Sequence, residues 1–157
     1  MLKVISHSEA DTVDLGLKLV RFLGPGNIVC LFGTLGAGKT VLVKAMAEGL
    51  GINKDEVISP SFVLIREYLP AKKTKNKIPF YHLDLFRLKN SRDILDLGYE
   101  EYLYGQGICA IEWAERMSGF LPSEFLKIEF KIKGRMQRVI KLIANGKQYQ
   151  KLLNSLG

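Results

Sequence analysis

The chain has 157 residues, a length that one domain accounts for, and we expect residues 1–157 to fold as a single domain. Its 23 Lys and Arg residues outnumber its 16 Asp and Glu residues, and the resulting formal charge of +7 is compatible with a polyanionic partner. The sequence shows neither a secretory signal nor an apolar run long enough to cross a membrane, so we expect a cytoplasmic protein that has no membrane contact.

The first 32 residues predict a strand, a helix and a second strand. Residues 2–6 are typical of a short strand, and Ser8 is a suitable N-cap for a helix over about 9–23, whose apolar residues recur at helical spacing. Residues 24–27 end that helix, and 28–32 form the unbroken apolar run of a buried parallel strand. This order predicts the β-α-β beginning of an α/β fold.

Residues 33–40 match the phosphate-binding pattern G-x-x-x-x-G-K-[ST] at every required position. Glycines in such a loop allow successive N–H groups to point at phosphate oxygens, Lys39 reaches the β- and γ-phosphates, and the Thr40 hydroxyl is placed for Mg²⁺. A strand precedes the loop and helical spacing follows it over 40–50, which is the context that a phosphate loop requires. The residues expected on the nucleotide are Gly33, Leu35, Gly36, Ala37, Gly38, Lys39, Thr40 and Val41.

Two connections further along the chain carry polar side chains that suit a phosphate or nucleic acid. Residues 59–62, Ser-Pro-Ser-Phe, place two hydroxyl groups on a proline-containing turn, although an ordinary turn explains them equally well. Residues 70–77 form a lysine-rich connection between strands predicted over 62–69 and 80–87. We favour a solvated hairpin tip for this connection over a surface for RNA.

Two predicted strands end in an acidic residue. Asp84 follows an apolar stretch that begins at residue 80, and Glu112 ends the apolar run that begins at residue 108. A carboxylate at the C-terminal edge of a strand can meet Mg²⁺ or its water shell, so both acids are expected beside the phosphate loop, although either alone could be a structural ion-pair partner. His82 lies within its strand and is interpreted as a packed or hydrogen-bonded residue rather than a ligand.

The rest of the chain completes an α/β pattern. Cys30 and Cys109 lie in apolar runs, which favours buried structural thiols over a metal or redox site. The remaining predicted elements are a helix from about 91 that breaks near 98 and resumes over 99–104, strands over 125–133 and 139–143, and a closing helix over 148–156. Together these elements predict a P-loop NTPase-like three-layer sandwich with a mixed, mainly parallel central sheet and antiparallel additions.

Four segments together resemble the TsaE family, formerly called YjeE, the small bacterial ATPase of tRNA threonylcarbamoyladenosine biosynthesis. The segments are 33–40, 59–62, 82–88 and 111–113, in the family's order and at similar separations. The first segment is diagnostic of a phosphate loop, and the set as a whole indicates the family. Three residues depart from the family pattern: Thr34 replaces the usual Asp, Ser61 replaces a frequent Thr, and Ala114 stands where Pro commonly follows the tryptophan.

The resemblance implies a single P-loop ATPase domain that binds ATP and Mg²⁺. It implies catalytic roles for Lys39, Asp84 and Glu112, with Thr40 and Glu112 on the metal and residues 59–62 as a switch-like loop. It also implies that Glu9 and Arg135 flank the adenine. The implied partners are TsaB and TsaD, which transfer threonylcarbamoyl to the tRNA adenosine beside the anticodon, so contact with tRNA is expected to be indirect.

Two other functions remain compatible with a phosphate loop. A small-molecule kinase usually closes an arginine-rich lid over the phosphates, but Arg87, Arg92 and Arg116 are too dispersed to indicate one. A nucleotide-switched binding protein, in which hydrolysis is incidental, needs no lid. Because no arginine lies in a recognisable finger motif, we expect slow hydrolysis by the isolated protein and acceleration by partners that order residues 59–62 or supply the missing charge.

Overall fold

The computed structural model describes residues 1–58, 64–71 and 77–157. Within these ranges the chain forms one seven-stranded sheet with helices on both faces. The elements are β1 (Leu2–Ser6), α1 (Glu9–Leu19), β2 (Ile28–Phe32), α2 (Lys39–Gly49), β3 (Ile65–Tyr68), β4 (Phe80–Asp84), α3 (Ser91–Leu95), α4 (Glu100–Leu103), β5 (Ile108–Glu112), β6 (Phe125–Ile132), β7 (Arg138–Asn145) and α5 (Lys147–Leu156), with 3₁₀ segments at Val20–Phe22 and Ala114–Phe120.

The sheet has the strand order β1-β7-β6-β2-β5-β4-β3. The four middle strands, β6, β2, β5 and β4, are parallel, whereas β7 and β1 on one side and β3 on the other pair antiparallel with their neighbours. The predicted P-loop NTPase-like α/β fold, with a parallel centre and antiparallel additions, is therefore confirmed. This arrangement brings the carboxyl ends of β2, β4 and β5 to one edge of the sheet, where ligands of open α/β sheets bind.

Alternate residues of β2 enter two different cores. Val29 and Leu31 pack in the layer that contains side chains of α1, α2 and α5, whereas Ile28 and Cys30 pack in the layer that contains side chains of α3 and α4. All four are almost fully buried, and burying a Val, Ile or Leu side chain contributes roughly 1.5–3 kcal/mol relative to its exposure. An unbroken apolar strand is therefore what a three-layer sandwich requires at its centre.

Helix α1 begins as predicted and ends earlier. The Ser8 hydroxyl accepts a hydrogen bond from the Asp11 N–H at 3.1 Å and caps the helix. The α-helix stops at Leu19 instead of continuing to residue 23, because the chain tightens into a 3₁₀ turn that Leu23 N–H closes on the Val20 carbonyl at 3.2 Å. A side chain at Gly16 would come within 2.6 Å of the Ala45 Cβ, so this glycine allows α1 to lie directly against α2.

Strand β4 is also shorter than predicted. The expected strand over 80–87 ends at Asp84, whose Oδ1 accepts a hydrogen bond from the Phe86 N–H at 3.0 Å. The Leu88 N–H then bonds the Leu85 carbonyl at 3.0 Å and completes a turn. An aspartate that bonds the backbone two residues ahead favours a turn over a continuing strand, and the sequence prediction missed this local competition.

The other boundaries lie within a few residues of the predicted ones. Strands β3 and β4 pair antiparallel, as expected for a hairpin. The predicted turn at 59–62 and most of the lysine-rich connection, 72–76, lie outside the described residues, and their interpretation stays a prediction. No helix in the described ranges is long and apolar enough to span a bilayer.

Candidate active site

The loop between β2 and α2 has the backbone that its glycines predict. Gly33, Gly36 and Gly38 have φ values of 142°, 73° and 104°, a region that side chains with a Cβ rarely adopt. At Gly33 a Cβ would also lie 2.9 Å from the Phe130 carbonyl oxygen of β6. Gly38 immediately precedes α2, so the curled backbone leads into the N-terminus of a helix, which favours anions.

Lys39 lies inside this loop and is only 4% exposed. Its Nζ donates hydrogen bonds to the carbonyl oxygens of Gly33 at 2.6 Å and Thr34 at 3.0 Å, and lies 3.9 Å from the centre of the Trp113 ring. Burial lowers the pKa of Lys39 from its ordinary value, and the carboxylates of Glu112, Glu115 and Asp84 oppose that shift. The loop carbonyls and the aromatic ring therefore hold the ammonium against the curled backbone between β2 and α2.

Thr40 connects the phosphate loop to the acid at the end of β5. Its hydroxyl lies 2.9 Å from Glu112 Oε1 and 2.8 Å from Oε2, and a hydroxyl has one proton to donate to this carboxylate. The lone pairs of Thr40 Oγ1 remain as acceptors. A hydroxyl oxygen and a carboxylate oxygen side by side are hard ligands of the kind that Mg²⁺ prefers, so the residues fit the ion.

Asp84 lies next to Glu112 in the sheet. The two residues are register partners of the parallel pair β4 and β5, and they are 4% and 2% exposed. In the described ranges, no group of three or more His, Cys, Asp and Glu residues could hold a metal by itself.

A pocket of about 370 Å³ opens between the loop and these two acids. Its wall includes every residue from 35 to 41, both Asp84 and Glu112, and also Arg87 and Trp113. The volume lies within the range of small-molecule sites, about 300–1,000 Å³. The structure thus gathers most of the residues that the sequence predicts on a nucleotide into one cleft, while Gly33 shapes the loop behind it.

Glu9 and Arg135 line a second pocket on the phosphate loop, of about 160 Å³. Gly36, Gly38 and Val41 belong to the walls of both pockets. Glu9 reaches this place because α1 packs on α2, and Arg135 lies in the turn that joins β6 to β7. The two residues predicted to flank the adenine are therefore both beside the loop, and their contact with adenine stays a prediction.

Comparison with known proteins identifies the family. A sequence model described as "Threonylcarbamoyl adenosine biosynthesis protein TsaE" matches residues 6–140. The tRNA threonylcarbamoyladenosine biosynthesis protein TsaE of Bacillus subtilis (strain 168) is 42% identical over 155 residues, which cover 99% of this chain and 93% of that protein. Its counterpart in Treponema pallidum (strain Nichols) is 38% identical over 131 residues, which cover 83% and 92%.

The chain belongs to the TsaE family. A solved structure supports the same conclusion: the crystal structure of Bacillus subtilis YdiB matches with a TM-score of 0.82 and 34% identity, over 99% of this chain and 93% of that one. The resemblance drawn from the four sequence segments is confirmed.

Trp113 is a residue of this TsaE-family site to which the sequence prediction gave no role. It follows Glu112 directly and has φ 58°, a left-handed backbone that costs a residue with a side chain roughly 1–2 kcal/mol. In this conformation the indole lies over Lys39 and its centre is 5.0 Å from that of the Phe86 ring. No local pattern in the sequence indicates the left-handed turn that brings the ring to the loop.

Arg138 is a second residue that the sequence prediction missed. Its Nη2 donates to the Gly36 carbonyl at 3.3 Å, and its Nη1 donates to the carbonyls of Gly134 at 3.0 Å and Gln137 at 3.1 Å. One guanidinium thus links the phosphate loop of this TsaE-family chain to the β6-β7 turn. Because 102 residues separate Arg138 from Gly36, no motif or spacing could have indicated the contact.

The departures from the TsaE pattern have different structural settings. Thr34 contacts Lys39 through its backbone carbonyl, which any residue type supplies. Ala114 is fully buried in the core layer below α3 and α4. Ser61 lies outside the described residues.

Proposed function

We propose that this protein binds ATP with Mg²⁺ and hydrolyses it, as the ATP-hydrolysing component of threonylcarbamoyl modification of the tRNA adenosine next to the anticodon, acting with TsaB and TsaD. Membership of the TsaE family supports the tRNA-modification role. The observation that carries the proposed chemistry is the pairing of Thr40 with Glu112 beside the buried Lys39. This arrangement combines a phosphate cradle, a fixed positive charge and two oxygen ligands in one cleft.

Each of these groups has a proposed task in phosphoryl transfer. The loop N–H groups and Lys39 hold the β- and γ-phosphates, and Lys39 contributes charge rather than proton transfer. Thr40 and Glu112 would hold the metal, and the chemistry that Mg²⁺ supplies when bound is neutralisation of charge on the β- and γ-phosphate oxygens. Binding energy is thereby concentrated where the transition state develops charge.

Asp84 is proposed to position the attacking water. Its Oδ1 accepts a hydrogen bond from the Phe86 N–H, and it lies beside Glu112 at the pocket wall, a location that would suit a carboxylate acting on a water near the metal. A carboxylate in this position accepts a hydrogen bond from the water and orients it for in-line attack. The two acids therefore have separate tasks, with Glu112 acting mainly on the metal.

We expect the isolated protein to turn over slowly. An arginine finger accelerates phosphoryl transfer by about 10³–10⁵ in kcat, and Arg87 is the one arginine among the described residues that lines the larger pocket. In the proposed mechanism, docking of TsaB and TsaD completes the charge around the phosphates or orders residues 59–62 over them. Partner binding then raises kcat more than it lowers KM, because the added contacts act in the transition state.

Steady-state ATP hydrolysis by the purified protein, alone and with saturating TsaB and TsaD, tests this proposal. The Lys39→Ala variant in the same mixtures gives the background. We expect a low basal rate that the partner pair raises at least tenfold, and by as much as about 10³–10⁵ if the partners supply the full charge effect of an arginine finger. A fast basal rate that the partners do not change would refute the partner-completed mechanism and favour an independent ATPase or kinase. If Arg87→Ala abolished that fast rate, the missing charge would be assigned to Arg87 of this chain.

A further inference from the structure

His82 in strand β4 is fully buried and contacts the carboxylate proposed for the metal. Its Nε2 lies 2.8 Å from Glu112 Oε1, and both side chains are almost completely shielded from solvent. In the described part of the chain the other ring nitrogen, Nδ1, has no hydrogen-bond partner. Because a carboxylate accepts hydrogen bonds and does not donate them, we assign the ring proton to Nε2, which donates a hydrogen bond to Glu112 Oε1.

The register of the parallel strands explains why the imidazole reaches this carboxylate. Asp84 is the register partner of Glu112, and His82 is the register partner of Ala110, so these side chains share one face of the sheet. Glu112 lies diagonally ahead of His82 on the neighbouring strand. The side chain directly opposite His82 is the small one of Ala110.

Glu112 is therefore held by donors from two different elements. The Thr40 hydroxyl of α2 approaches both carboxylate oxygens, and the His82 N–H of β4 approaches Oε1. A hydroxyl that becomes a metal ligand can still donate its hydrogen bond to the carboxylate, but the metal then also determines where the hydroxyl lies. The imidazole, in contrast, belongs to strand β4, which is paired on both sides, with β3 and with β5.

The buried Nδ1 without a partner indicates that packing in an apolar core does not by itself account for a histidine at position 82. A buried nitrogen acceptor without a partner is unfavourable, and an apolar side chain at this position would avoid that cost. The favourable polar contact of the ring is the hydrogen bond to Glu112. This contact resembles the outer-sphere hydrogen bonds that orient ligands in metal sites.

We propose that His82 is a positioning residue for the metal-side carboxylate. Its N–H fixes one oxygen of Glu112 so that the remaining lone pairs, together with the Thr40 hydroxyl, face the cation of Mg-ATP. This inference rests on the proposed function, because it assigns His82 to the same metal site. It predicts that His82 sets the affinity for nucleotide when Mg²⁺ is present and not when Mg²⁺ is absent.

Three variants separate this role from a structural one. His82→Leu removes the Nε2–H donor and fills the buried site with an apolar side chain. His82→Gln instead places an amide N–H near the position of Nε2. Tyr149→Phe is the matched control, because the buried Tyr149 hydroxyl accepts a 2.7 Å hydrogen bond from the Ile28 N–H at the opposite end of β2 from the phosphate loop. All three variants perturb the core, but only the first removes the contact to Glu112.

The measurement is the Kd for ATP by titration calorimetry, once with Mg²⁺ and once with EDTA. We expect His82→Leu to weaken Mg-ATP binding by about 10- to 100-fold, the usual effect of losing an outer-sphere partner of a metal ligand, and to leave binding in EDTA unchanged. His82→Gln should recover most of this loss. Tyr149→Phe should keep the wild-type ratio of the two Kd values.

The outcomes distinguish this inference from the proposed function. If wild type depends on Mg²⁺ and folded His82→Leu keeps the same dependence, the inference is wrong and the proposed function stands. An equal loss of affinity with Mg²⁺ and with EDTA also overturns it, because it indicates a structural role. If wild type binds ATP equally well in both conditions, or does not bind it, the proposed magnesium site fails and the inference fails with it.

A spectroscopic measurement on the wild-type protein does not depend on whether His82→Leu folds. The chain has two histidines, and the exposed His7 serves as the internal reference for ring ¹⁵N signals. We expect the Nε2 signal of His82 to move when Mg-ATP is added and to stay in place with ATP and EDTA. A His82 signal that is insensitive to the metal would overturn the positioning role.

Discussion

The Lys39→Ala substitution tests the centre of the proposed site. In the folded protein the Lys39 ammonium is 4% exposed and donates to the carbonyls of Gly33 and Thr34. The substitution removes a positive charge from the position where the phosphates are expected and leaves the loop backbone in place. We therefore expect nucleotide affinity and hydrolysis to fall while the fold survives.

The loss of affinity follows from the charge-assisted hydrogen bond that Lys39 would make to a phosphate. A hydrogen bond to a charged group contributes about 1.5–3 kcal/mol, which corresponds to about a 10- to 150-fold increase in the Kd for Mg-ATP. Hydrolysis should fall further, because Lys39 would also stabilise the charge that develops on the β- and γ-phosphate oxygens in the transition state.

Burial of Lys39 also determines the sign of the stability effect. Its pKa is lower in the folded protein than in the unfolded chain, so between the two pKa values the unfolded chain binds more protons and the free energy of unfolding rises with pH. Where the pH is below both pKa values, wild type bears the whole desolvation cost of the ammonium, which offsets the two hydrogen bonds. We expect the free energy of unfolding of Lys39→Ala to lie within about 1 kcal/mol of the wild-type value at pH 7. The variant should also lack the rise of this free energy with pH in the alkaline range.

Titration calorimetry with Mg-ATP, steady-state hydrolysis, and urea unfolding at neutral and alkaline pH measure these effects. Lys44→Ala is the control, because Lys44 lies in the same helix and does not line the larger pocket in the described structure. Unchanged Mg-ATP affinity in a folded Lys39→Ala protein would refute the assignment of this loop as a nucleotide site. Equal losses in both variants would indicate a general effect of charge.

The remaining predictions concern the two acids and the two cysteines. Glu112→Ala is expected to weaken Mg²⁺-dependent nucleotide binding by about tenfold or more, whereas Asp84→Ala should leave binding near wild type and slow turnover. Calorimetry measures the binding and single-turnover hydrolysis measures the turnover. The opposite pattern would exchange the roles of the two acids. Burial raises the pKa of the Cys30 and Cys109 thiols, so both should resist alkylation in the native protein and react after denaturation, as followed by mass spectrometry. Rapid labelling of the folded protein would contradict their burial.

Local sequence patterns determined a large part of this structure. The phosphate-loop motif, the Ser8 cap and the unbroken apolar run of β2 each depend on residues that are close together in the chain, and each was predicted with small boundary errors. One local error was the end of β4, where the Asp84 carboxylate accepts a hydrogen bond from the Phe86 N–H and the chain turns. Turn formation competed there with strand propensity, and both are encoded in the same few residues.

Only the tertiary structure decided which side chains meet. The sequence predicted that Asp84 and Glu112 end strands and lie beside the phosphate loop, but only the adjacency of β4 and β5 made them register partners and brought His82 diagonally onto Glu112. Likewise, Arg138 reaches Gly36 across 102 residues because β6 lies between β2 and β7 in the sheet. Periodicity and motifs report which face of an element is buried, whereas strand order and register arise from the packing of the whole chain, so the contacts that shape this site have no local signature.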